Sequence, residues 1–278
     1  MLLYRYFATH ALETLRDNLL KAATVSSLND PFELVYRSTG ALTRAHAKHH
    51  LKHEMPIDEL LALAKLINPG IRRKDIKKSM VTNREAYIKS LISGWSRHKA
   101  ESYMHNSADE FLRVVCFSEA IVDRFDEILI WSHYADKHKG TRIGFEFPEG
   151  TINPFKIVPV QYQQGRAVFD LSKGLGAGNL EKVFNESVKV KSSAWKYERE
   201  HRMLTPPVLC QKKSIEGGTT ADFIPFKREW VKHVDLGLRA PENDIQAIKV
   251  FLQQEYPHVQ LRKTVIHPTD YALEYEIV

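Results

Sequence analysis

The stretch Trp195-Lys-Tyr-Glu198-Arg-Glu200-His-Arg202-Met-Leu204 reads as a β-strand over residues 196–204, ended by Pro206-Pro207. Side chains of a strand alternate between faces, so Glu198, Glu200 and Arg202 share one face while Tyr197, Arg199, His201 and Met203 take the other. Same-face neighbours stand about 6.7 Å apart. Two carboxylates at that distance repel by roughly 2.5 kcal/mol at an effective dielectric of about 20, and by about 0.6 kcal/mol in water. On a solvated edge the pair carries no meaning. In a cleft it needs a cation such as Arg202, or a proton held at raised pKa, which is how catalytic carboxylates are kept ready.

Working outward, the apolar and aromatic residues 2–7 predict a strand, with Thr9 capping a helix through Ala11, Leu12, Leu15 and Leu19. Residues 24–28 read as a short extended segment closed by the turn Asn29-Asp-Pro-Phe-Glu33. Between about 41 and 110 the pattern is helical, with one apolar stripe through Leu60, Leu61, Leu63, Ala64 and Ile67 and a second helix through Ile88, Leu91, Ile92 and Trp95. Strands are expected at 113–118, 141–147 and 156–162, with a helix at 128–137. The glycine-rich 172–178 reads as a loop and lacks the lysine and hydroxyl residue of a P-loop. A strand at 231–238, a helix at 241–254 and strands at 259–265 and 271–277 complete the chain. Helices and strands without regular alternation predict an α+β fold, one domain over 1–278 with a helical insertion at about 41–110.

The 278 residues suffice for a full core, and 43% hydrophobic against 27% charged residues excludes a disordered chain. Apolar runs such as 128–131 fall far short of the 20 or so residues a bilayer needs, so a cytoplasmic protein is expected. Two cysteines, Cys116 and Cys210, exclude a disulfide framework and a cysteine-rich zinc site. Forty basic against 34 acidic residues give a formal charge of +6, which permits an anionic partner.

Several segments together resemble a large, uncharacterised bacterial family, a domain of unknown function. They are Leu3-Tyr-Arg-Tyr6, Leu28-Asn-Asp-Pro-Phe-Glu33, Cys116-Phe-Ser-Glu119, Trp131-Ser-His-Tyr-Ala-Asp-Lys-His-Lys-Gly140 and the Trp-x-Tyr-Glu-x-Glu-x-Arg of residues 195–202. An arginine on the first strand, a serine on a middle strand and Glu-x-Glu on a late strand are also similar to the signature of the ADP-ribosyltransferase superfamily. That resemblance implies twisted mixed or antiparallel sheets forming a cleft, with NAD as substrate and no metal. It implies that Arg5 and Ser118 help hold NAD, that Glu200 grips the nicotinamide ribose, and that Glu198 assists attack by a protein or nucleic-acid acceptor. The family pattern continues the serine into a serine-threonine-serine run, where this chain has Ser118-Glu-Ala120.

The residue types suit such chemistry. A fixed carboxylate stabilises the oxocarbenium-like transition state of glycosidic cleavage, and Glu200 does so without being protonated. A guanidinium such as Arg5 or Arg202 pairs with phosphate oxygens, aromatic rings such as Tyr4, Tyr6 and Tyr134 stack on nicotinamide or adenine, and His133 donates a hydrogen bond or moves a proton. The expected activity is an ADP-ribosyltransferase or NAD glycohydrolase, in the setting of a bacterial toxin or phage defence.

Blander readings stand beside these. Arg5 fits a salt bridge at a sheet edge, Asn29 to Glu33 a structural turn, and Trp131 and Tyr134 a packed helix face that leaves His133 exposed. A non-catalytic module would set Arg44, Lys48, Lys52, Arg72, Arg73, Lys77 and Lys78 against nucleic-acid phosphates or a partner, and would lose affinity steeply with salt. A metal-dependent nuclease would use Asp30, Glu33 and the glutamate pair, with an absolute need for magnesium or manganese.

Overall fold

The computed structural model describes residues 1–33, 35–53, 57, 58, 61, 64, 65, 68–94, 108–121, 124–148, 156–173, 186–215 and 217–278. Leu60, Leu63 and Ile67 of the expected stripe, Trp95, and most of the glycine-rich loop lie outside them. In chain order the elements are β1 (Leu2–Phe7), α1 (Ala11–Asp17), β2 (Leu19–Ala22), β3 (Arg37–Thr39), α2 (Arg44–His53), α3 (Arg73–Thr82), α4 (Arg84–Gly94), β4 (Arg113–Ser118), α5 (Arg124–Tyr134) and β5 (Thr141–Glu146). They continue with β6 (Lys156–Pro159), β7 (Gln161–Gln163), β8 (Val168–Asp170), β9 (Val190–Ser192), β10 (Glu200–Thr205), β11 (Gln211–Ser214), β12 (Thr220–Pro225), β13 (Val231–Leu236), α6 (Glu242–Glu255), β14 (Gln260–Ile266) and β15 (Leu273–Ile277).

The chain divides into two compact units. Met1–Glu33, Ala108–Gln164 and Lys189–Val278 form the first, and Leu34–Ser107 with Gly165–Val188 the second. The second unit therefore takes in nearly all of the expected helical insertion, together with a later segment. Its β3 and β8 pair in parallel, and Tyr36, Leu42, Ala47, Ile88, Phe169 and Leu171 form its core.

The first unit is built on an eight-stranded sheet in the order β15-β14-β13-β5-β1-β4-β10-β6, antiparallel except where β13 and β14 run parallel through the crossover helix α6. A three-stranded antiparallel sheet, β11-β12-β2, accompanies it. Mixed sheets and helices of this kind are an α+β architecture. The alternation of each strand divides the large sheet into two chemically different faces. Leu3, Val115, Phe117, Ile143, Phe145, Met203, Val234 and Leu236 form the core with Leu15 of α1, Ile245, Ile248 and Leu252 of α6, and Leu20 and Ile224 of the smaller sheet. Each such buried side chain contributes about 1.5–3 kcal/mol of transfer free energy.

The opposite face is polar, and cross-strand register lines it up in rows. Tyr4 pairs with Ser118, and Ser118 pairs with Glu200. In the neighbouring row Tyr6 pairs with Arg142, and Arg142 with Asp235. Helix α5 covers part of this face, its Trp131 fully buried and edge-on to Tyr6 at 5.3 Å. Under it Arg142 is satisfied by Asp235 at 2.7 Å and Glu127 at 3.0 Å, with the rings of Tyr4 and Tyr275 against its guanidinium.

Several local expectations are corrected. Thr9 caps no helix: His10 is the N-cap residue, in a left-handed conformation at φ 63° and with no side-chain cap bond. Asn18, left-handed at φ 55°, ends α1, so Leu19 starts β2. Residues 24–28 contain a 3₁₀ turn at Val25–Ser27. The single strand expected at 156–162 is two, because β6 pairs with β10 while β7 pairs with β9. Helix α5 stops at Tyr134, since Asp136, Lys137 and His138 all take positive φ. Among the described residues no helix is long and apolar enough to cross a membrane.

Candidate active site

The expected strand over 196–204 begins only at Glu200. Ser193–Glu198 form a 3₁₀ helix, and Arg199, left-handed at φ 46°, swings the chain into β10. Glu198 therefore does not share a strand face with Glu200, yet the turn returns it to the same place. The Lys191 ammonium, on β9, lies 2.7 Å from Glu198 Oε2, 3.1 Å from Glu200 Oε2 and 3.3 Å from Glu33 Oε1. Arg202, 1% exposed, donates through Nε to Glu200 Oε1 at 2.7 Å and through Nη2 to both oxygens of Glu33 at 2.8 Å. Three carboxylates against two cations leave one net negative charge in a buried cluster.

The turn at residues 29–33 delivers Glu33 to this cluster and Asn29 to its edge. Asp30 Oδ1 accepts from the Phe32 amide at 2.9 Å, an Asx turn that presents Glu33 to Arg202 and Lys191. Asn29 Nδ2 donates to the Tyr134 hydroxyl at 2.7 Å, and that hydroxyl donates to Glu198 Oε1. The Glu200 amide donates to the Tyr162 hydroxyl at 2.7 Å, which fixes the start of β10.

The two glutamates are driven apart in acidity. Burial raises the pKa of Glu198, and Lys191 and the Tyr134 hydroxyl only partly offset it. Burial acts the same way on Glu200, but the charge and hydrogen bonds of Arg202, with Lys191, outweigh it and hold that carboxyl at about 2. Burial pushes the Tyr134 phenol up, and the Glu198 charge pushes it further, so it stays a donor. Cys116 is raised well above an ordinary thiol by burial and the neighbouring Glu200, which makes it a poor nucleophile.

Glu198, Glu200 and Lys191 line a cavity of 150 Å³ with Tyr4, Tyr6, Ser118 and Tyr134. The Ser118 hydroxyl makes no hydrogen bond among the described residues. Glu198, Glu200, Ser118, Tyr6 and Tyr134 thus line one cavity.

Three other expectations change. His133 does not line the cavity: it is exposed, bonds the Tyr197 hydroxyl at 2.8 Å and packs near Trp195, because the α5 face toward the sheet is taken by Trp131 and Tyr134. Arg202 does not line it either; it holds acids and is not free to hold a cofactor. Arg5 borders the cavity, but it follows Tyr4 in the strand and belongs to the alternate side, where its Nη2 donates to the Lys21 carbonyl at 3.0 Å and its guanidinium lies 5.5 Å from the Phe7 ring.

Lys191 and Tyr162 were not singled out by the sequence, and Asn29 was named only as part of the 29–33 turn. The only signal for Lys191 is its place in Val188-Lys-Val-Lys191, where alternation turns one lysine inward. Lys191 also bears on the nuclease reading, since its ammonium already sits among the three carboxylates where a divalent ion would be held. In the second unit Arg44, Arg72 and Arg73 are paired with Glu85, Asp75 and Asp58, which leaves Lys48, Lys52, Lys77 and Lys78 as the exposed basic residues of that set without an ion pair among the described residues. Comparison with protein-family models, curated proteins and solved structures gives no match.

Proposed function

We propose that this chain splits the bond between nicotinamide and ribose of NAD, passing ADP-ribose to a protein or nucleic-acid acceptor or to water, as an ADP-ribosyltransferase or NAD glycohydrolase of a bacterial toxin or phage-defence system. The observation that carries this reading is the pair of glutamates on one ammonium, shifted in opposite directions and facing a tyrosine-walled cavity. Divided acidities in a carboxylate pair assign an acid–base group and a fixed anion. Glu200 is the anion, and its charge with that of Glu33 gives the cluster the sign that a cationic sugar transition state requires.

As the C1′–N bond breaks, its electron pair goes to the pyridinium nitrogen and nicotinamide leaves neutral. The acceptor oxygen or water then bonds to C1′, and its proton passes to Glu198, whose raised pKa suits a base working nearer neutrality. Tyr4, Tyr6 and Tyr134 supply flat surfaces for the ring, and the Ser118 hydroxyl a polar contact. At 150 Å³ the cavity falls below the roughly 300–1,000 Å³ of sites that enclose a whole small molecule, so it suits the reacting end of NAD.

The test is calorimetric titration with NAD together with an assay of nicotinamide release. Binding by the wild type, with release lost in Glu200→Gln, is expected. Absence of binding, with wild type and Glu200→Gln alike in the assay, overturns the proposal.

A further inference from the structure

A second cavity, of 660 Å³, is walled by the end of β1, α1 and the three-stranded sheet, and Arg5, Lys21, Lys213, Phe7, Leu19 and Phe223 contribute to its surface. Three cations, Arg5, Lys21 and Lys213, line it against two acids, Asp17 and Glu13. Lys213 is paired with Asp17, but exposed Lys21 has no ion pair among the described residues. Arg5 also lacks an acidic partner among them: one nitrogen bonds the Lys21 carbonyl, and the other, Nη1, is enclosed with no acceptor. A partly buried guanidinium normally finds a carboxylate, because burying a charge without one is costly. Burial here pulls the Arg5 pKa down to about 10.

We propose that this cavity binds a phosphorylated small molecule with an aromatic body, of the nucleoside monophosphate class, its phosphate between Arg5 and Lys21. Turning the guanidinium into the cavity gives Nη1 the acceptor it lacks, and a phosphate supplies enough charge and oxygens for both cations. Phe7, Leu19 and Phe223 provide the apolar wall for a ring, and the volume lies in the range usual for small-molecule sites. Arg5 borders both cavities, but Lys21 and the apolar wall of Phe7, Leu19 and Phe223 line this one and not the smaller, so the site is distinct from the glutamate pair.

The experiment is calorimetry of the full chain with AMP, inorganic phosphate and adenosine at one salt concentration. AMP is expected to bind, phosphate more weakly, and adenosine not measurably. Arg5→Met and Lys21→Ala should each weaken AMP by about tenfold or more, while Glu198→Gln keeps wild-type affinity. Lys21 is exposed, so its alanine variant serves if Arg5→Met fails to fold. The proposal is overturned by AMP binding no better than adenosine, by no AMP binding at millimolar concentration, or by unchanged affinity in Lys21→Ala. It is also overturned if Glu198→Gln abolishes AMP binding, which would put the nucleotide in the smaller cavity.

Discussion

Lys191 Nζ lies 2.7 Å from Oε2 of Glu198. The lysine is one of two cations that keep three buried glutamates from repelling one another, and the first prediction concerns its removal. Lys191→Met should destabilise the chain by about 3–5 kcal/mol, as expected when one partner of a buried ion pair is lost. Adding Glu198→Gln should recover part of that loss. Urea unfolding of the two single variants and the double variant measures the coupling, and strictly additive losses would contradict it.

The two glutamates should fail differently in catalysis. Glu200→Gln removes the fixed anion and should lower nicotinamide release by about 10²–10³-fold. Glu198→Gln should lower it by about 10²–10⁴-fold and flatten the acid limb of the pH–rate profile. Identical profiles in the two variants would refute the division of roles.

Stability should follow pH with the sign set by Glu200. Its folded pKa of about 2 lies below the ordinary 4.5. A depressed carboxyl stabilises the fold above the unfolded value, and the contribution, about 3 kcal/mol, is lost as pH falls toward 2. Glu198 is raised, so its contribution has the opposite sign, being present at low pH and lost as pH rises through its folded value. The stability gap between wild type and Glu200→Gln should therefore be widest above pH 4.5 and close toward pH 2, and at pH 7 Glu198→Gln should cost less than Glu200→Gln. A gap that stays constant with pH would contradict this.

Tyr134→Phe deletes the hydroxyl that links Asn29 to Glu198. Loss of that donor should raise the Glu198 pKa further, moving the acid limb of activity to higher pH, and should cost about 1 kcal/mol of stability. An unmoved limb would mean that the tyrosine is packing only.

Gly140 closes the turn after α5, and a Cβ there would meet the Phe7 carbonyl oxygen at 2.0 Å. Gly140→Ala should cost about 1–3 kcal/mol from this overpacking, measured by thermal or urea unfolding. A neutral substitution would show that the β1 end gives way.

Much of the frame was legible. The strands at 113–118 and 141–146 and the strand–helix–strand tail follow from alternation and apolar spacing, which are local properties of the chain. The shared face of Glu200 and Arg202 follows from the same rule, and the two do bond across it. The 3₁₀ turn before Glu200 was not legible, because it depends on Arg199 taking a left-handed conformation that residue type alone does not require.

The sequence by itself determined the α+β class, the run of most strands and the acidic character of the site, because side-chain periodicity acts within one element. The tertiary structure alone decided which charges meet. Register joined Tyr4 to Ser118 and Ser118 to Glu200, and so left Arg5 on the alternate side. Folding also brought Glu33 to Arg202 across 169 positions and placed Lys191 among three acids. Such pairings are fixed by long-range packing and the desolvation of charge, and neither is written in the spacing of neighbouring residues.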